Sequence, residues 1–112
     1  QNDSYVDFQV GIVYANAYNH TTIPKSANYT LDFDDGDVVL CDPTGGVFTI
    51  TLPAVASNAG KVVTIKNASS STNAITIDGN STETIDGETT IALESAYAAV
   101  NLVCNGSAWF VF

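Results

Sequence analysis

The chain has 112 residues, 46% of them hydrophobic, and sets twelve acids against three lysines and no arginine, for a formal net charge of −9. So acidic a balance excludes binding to a nucleic-acid backbone by counterion release and adhesion to an anionic membrane by charge, and no apolar run nears the roughly 18 to 20 residues of a membrane-crossing helix. These features predict one soluble domain with a modest core, while a charged fraction of 13%, against about 25% in ordinary soluble domains, implies that other chains cover part of its surface.

The chain opens at Gln1, contains no methionine and shows no basic or apolar leader, as expected of a piece of something longer. Residues 1–24 are rich in aromatics, poor in glycine and close at Pro24. They predict a strand near 5–14 followed by a connector, or a lead-in from an upstream shaft, with residues 25–112 forming the domain proper. From there the dominant signal is alternation at period two in β-branched residues. Phe48, Ile50 and Leu52 fall on one face and Val47, Thr49 and Thr51 on the other, and the runs at 62–66 and 74–78 repeat the pattern. Such runs predict half-buried antiparallel strands, near 28–33, 37–42, 47–52, 61–67, 73–78, 82–86, 89–94, 97–104 and 107–112. A single helical turn is predicted within 54–59, between Pro53 and Gly60. Turn signals punctuate the strands at Asp35-Gly36, Gly45-Gly46, Asn58-Ala59-Gly60, Asp78-Gly79, Asp86-Gly87 and Asn105-Gly106, a spacing expected of an all-β sandwich or barrel. The unit Thr-Ile-Asp-Gly occurs at 76–79 and again at 84–87. Each copy is predicted to be a strand end whose isoleucine, Ile77 or Ile85, turns inward while the Asp-Gly pair bends the chain.

Few residues suggest chemistry. Asp32, Asp34, Asp35 and Asp37 put four carboxylates in six positions and are candidate oxygen ligands for Ca²⁺. Yet the glycine and glutamate of an EF-hand loop are out of place, and a charged hairpin turn at Asp35-Gly36 is the preferred account. Cys41 and Cys104 are the only cysteines and His20 the only histidine, too few for a zinc site; the cysteines are expected to be small buried hydrophobes rather than a disulfide. Six asparagines lie in N-x-S/T triplets, which a threonine-rich chain produces freely. No base stands in a recognisable nucleophile frame, Glu83, Glu88 and Glu94 lie in no glycosidase setting, and no glycine-rich loop leads into a helix. The chain is therefore expected to be no enzyme and to need no cofactor. Trp109 is left with three roles: packing, contact with another chain, or a platform for a sugar, the first two preferred.

From Tyr29 onward the phrases fall in a telling order. Tyr29-Thr30-Leu31 is followed by Val38-Val39-Leu40-Cys41-Asp42, GGVFTITLP (45–53), NAGKVVTIKN (58–67), NAITIDG (73–79), ETIDG (83–87) and VNLVCNGSAWFVF (100–112). This succession, over about three quarters of the chain, resembles a module near the C-termini of bacteriophage tail fibres, tailspikes and related virion fibres. The resemblance implies an antiparallel β-sandwich or jelly-roll-like knob, assembled as a homotrimer on the virion surface. Its function would be attachment to a host-surface glycan or protein, or else purely structural: capping, registering or decorating a fibre or capsid. Cys41, Cys104 and the acids at 32–37 depart from the pattern, and which residues would touch a receptor is left open.

Overall fold

The computed structural model describes residues 19–32 and 34–112; the strand expected at 5–14 lies outside them. The strands are β1 (Thr22–Lys25), β2 (Tyr29–Thr30), β3 (Val38–Cys41), β4 (Phe48–Thr51), β5 (Val62–Asn67), β6 (Ile75–Asp78), β7 (Thr90–Leu93), β8 (Ala99–Cys104) and β9 (Trp109–Val111). The only helical element among the described residues is one 3₁₀ turn, Val55–Ser57, inside the predicted stretch. The protein is all-β.

Two sheets share the strands, one ordered β1-β3-β5-β8-β9 and the other β2-β4-β6-β7. Up to β6 the chain alternates between them, and in each sheet the successive strands run parallel: Thr22 stands beside Val38 and Val38 beside Thr64, while Phe48 stands beside Ile75. The chain therefore winds as a coil. Only the last three strands turn back, β7 on β6, β8 on β5 and β9 on β8, in antiparallel pairs. The antiparallel arrangement expected throughout is thus corrected for the first six strands. Two further expectations change. Thr22–Lys25, assigned to the connector, is an edge strand that straddles the boundary drawn at Pro24, and it tolerates that proline because an edge has one side unpaired. The segment 82–86 is not a strand; its only β-pairing is through isolated bridges at Ile85.

Period-two alternation supplies the core. Val39, Val63, Ile65, Leu102 and Cys104 point inward from the first sheet and Phe48, Ile50, Ile75, Ile77 and Leu93 from the second, and all belong to one buried cluster with Leu52, Ile85 and Trp109. In a parallel coil like stacks on like, so Ile50 lies beside Ile77 and Val39 beside Ile65. Burying each such side chain stabilises the fold by roughly 1.5 to 3 kcal/mol before entropy is counted.

The outward faces differ. None of the five strands of the first sheet carries an acid, although the chain holds twelve. Val62, Val103 and Phe110 form a row across that outer face, with Val38 and Leu40 on neighbouring β3, the Thr64 hydroxyl bonded to Asn101 beside it, and Lys66 as its one charge. The outer face of the second sheet is a field of hydroxyls: Thr30, Thr51 and Thr90 beside Asp78, then Thr49 beside Thr76.

Candidate functional site

The acidic stretch lies in the crossing from β2 to β3, so it joins two sheets instead of closing a hairpin. The bend falls at 32–35, where the Asp35 N–H donates to the Asp32 carbonyl at 3.1 Å. The Asp35 carboxylate accepts the Asp32 N–H at 2.6 Å and the Tyr29 hydroxyl at 3.0 Å. That hydrogen bond, with the charge of Asp35 and Asp32 nearby, holds the Tyr29 phenol above its ordinary range, so it stays a neutral donor. Asp37 turns the other way, its Oδ2 lying 2.6 Å from His20 Nδ1, an ion pair whenever the imidazole is protonated. Asp34 is exposed. The Asp35 and Asp37 carboxylates thus turn to different partners, and among the described residues no three His, Cys, Asp or Glu side chains converge. Gly36 makes the crossing possible, since a Cβ there would meet the Thr21 carbonyl oxygen at 2.4 Å.

Cys41 and Cys104 are both buried and unpaired with each other. Burial pushes the Cys41 thiol up to about 11. Cys104 Sγ accepts the Gly106 N–H at 3.3 Å and helps shape the β8–β9 hairpin. Trp109 is fully buried, which makes it a packing residue and excludes it as a sugar platform. Glu83 caps the 3₁₀ turn, accepting the Val55 N–H at 3.1 Å, while Glu88 and Glu94 are exposed. Of the asparagines in N-x-S/T triplets, Asn67 is fully buried. Its amide donates to the Ser71 and Ser95 carbonyls and its oxygen accepts the Ser69 N–H and hydroxyl, so it locks a corner of the coil.

Beside the acidic crossing opens a cleft of about 550 Å³. Its walls come from four separated stretches: Tyr29 to Asp32 at the end of β2, Pro53 with Ala54, Ser57 with Asn58, and Asn80. The coil brings them together because β2, β4 and β6 are successive neighbours in one sheet and their trailing ends emerge on the same side. Asn80 Nδ2 donates to the Leu52 carbonyl at 3.4 Å. Asn58 Nδ2 donates to the Ala54 carbonyl at 2.7 Å, whereas its Oδ1 is buried without a partner. Tyr29 contributes ring surface, with Lys25 Nζ 3.5 Å from the ring centroid. No Lys, Arg or His is in the lining. Nothing in the local sequence around Asn58 or Asn80 marks them as partners, since their meeting is a product of the winding alone. No family model and no curated sequence matches the chain, and its function is read from its own residues.

Proposed function

We propose that this chain is a module of a virion fibre or tail appendage that assembles as a homotrimer and serves in host-cell attachment. In this reading each copy contributes a sandwich-like knob of two sheets, acts by binding a host-surface glycan or protein rather than by catalysis, and sits on the virion surface. The observation that carries it is the outer face of the first sheet. On a chain of net charge −9, copies approach with least repulsion through a face whose strands are free of acids, and Val62, Val103 and Phe110 give that face an apolar row. Phe112, 66% exposed, extends the apolar surface past the end of β9. An uncovered surface of this kind is characteristic of an interaction site. The ordered phrases from Tyr29 to Phe112 support the fibre assignment.

A trimer attaches usefully even when each site is weak, because linked sites raise avidity by roughly 10² to 10⁴. The alternative, a fibre tip or capsid decoration that drives trimerisation without binding host, draws on the same apolar face. Fluorescently labelled protein titrated onto host cells, with boiled protein as control, separates the two. Saturable binding is expected, and its absence on every plausible host favours the structural reading.

A further inference from the structure

We propose that the cleft walled by Tyr29, Asp32, Ser57, Asn58 and Asn80 is a subsite for an uncharged saccharide, an inference that rests on the attachment reading. Asn80 and Asn58 bring planar amides, Thr30 and Ser57 hydroxyls, and Asp32 a carboxylate, all groups suited to a ligand dense in hydroxyls. Pro53, Ala54 and the part of the Tyr29 ring not covered by Lys25 supply apolar patches against which the C–H face of a sugar ring can pack. The Tyr29 hydroxyl is already held by Asp35, so its ring is fixed in orientation before any ligand arrives.

Charge narrows the class further. The lining includes Asp32, the next carboxylates along the chain are Asp34 and Asp35, and no basic residue lies in the walls. Lys25, over the Tyr29 ring, is a single cation beside these acids, so a carboxylated or phosphorylated sugar would enter against an excess of negative charge, whereas a neutral one would not. Asn58 is only 6% exposed and its Nδ2 is held by the Ala54 carbonyl at 2.7 Å, which fixes that part of the wall before any ligand arrives.

The test uses the full chain, ¹⁵N-labelled, titrated with maltotriose, chitotriose and mannotriose as neutral probes and sialyllactose as the anionic one, each into the millimolar range. At least one neutral trisaccharide is expected to shift the amides of Thr30, Asp32, Ser57 and Asn80, while sialyllactose leaves them in place. Ser57→Trp, at an exposed position on the wall, is expected to abolish those shifts by filling the cleft, and Ser70→Trp, outside it, to keep them. Asn80→Ala removes one amide and should weaken binding by about threefold to tenfold. Spectra of the free variants establish that each is folded. The proposal is overturned if no neutral probe moves these amides, if the shifts map elsewhere, if Ser57→Trp retains them, or if sialyllactose binds there equally well. Cell binding keeps its failure distinct from failure of the attachment reading. Wild type and Ser57→Trp binding cells alike would sink the cleft and leave attachment standing, and absence of binding by wild type would sink attachment.

Discussion

Gly79 and Gly87 end the same four-letter word, and the backbone asks different things of them. Gly87 has φ of 88° and follows Asp86 at 50°, while the Ile85 and Glu88 backbones bond each other in both directions. That is a two-residue hairpin turn of type I′, the one Asp-Gly is suited to. Gly79 has no positive φ; it is needed because a Cβ there would lie 2.1 Å from the Glu83 carbonyl oxygen. Gly79→Ala is therefore expected to lower stability by about 1 to 3 kcal/mol through overpacking, read as a fall in the urea midpoint, and a midpoint equal to wild type would refute the close approach. Cys41 makes a second prediction at this scale. Its folded pKa is raised from 9.0 to about 11 by burial, so the folded state keeps a proton that the unfolded state gives up. The contribution is intact below pH 9 and is lost as pH rises toward 11. The slope of stability between pH 9 and 11 should flatten in Cys41→Ala, after allowance for that variant's lower baseline, and an unchanged slope would count against the buried thiol as its cause.

At the scale of elements, the second Thr-Ile-Asp-Gly has become a clasp for the C-terminal strand. The Trp109 N–H donates to the Thr84 carbonyl at 2.9 Å, the Asp86 N–H to the Trp109 carbonyl at 3.0 Å, and the Val111 N–H to Asp86 Oδ1 at 3.1 Å. β9 would otherwise present an open edge. Asp86→Ala removes the side-chain acceptor and a residue tolerant of positive φ, and is expected to cost about 1 to 2 kcal/mol with faster amide exchange at Val111. Asp86→Asn keeps both features and should exchange nearly as slowly as wild type; equal exchange in Asp86→Ala would show that the clasp is not holding the strand. This division also marks what the sequence made legible. Strand positions from β3 to β9 follow from alternation, and the inward residues with them, because side chains alternate in any strand. Direction does not follow, since a parallel and an antiparallel strand show the same alternation; Asp35-Gly36 looks like a hairpin whether the chain returns beside its own strand or crosses to another sheet. β1 escaped notice because Thr22-Ile23-Pro24-Lys25 is short and holds a proline. The cleft was illegible for a related reason: Tyr29, Asn58 and Asn80 are far apart in the chain and meet only once the winding is known.

For the whole molecule, the decisive asymmetry is between the two outer faces. The second sheet shows water hydroxyls from Thr49, Thr51 and Thr76, which hydrogen-bond solvent at little cost, while the first shows Val62, Val103 and Phe110, with Phe110 41% exposed. Phe110 contributes nothing to the buried cluster, so its substitution tests association without emptying the core. Wild-type protein is expected to scatter light as three chains of 11.7 kDa. Phe110→Asp places a carboxylate at the β9 end of the Val62–Val103–Phe110 row, where burial against another copy would strand the charge at a cost of several kcal/mol. It is expected to scatter as one chain while retaining the circular dichroism of the wild type. Thr76→Asp puts the same charge on the other sheet and should remain a trimer. A wild-type mass of one chain would remove the trimer altogether, and a trimeric Phe110→Asp would move the contact to another surface.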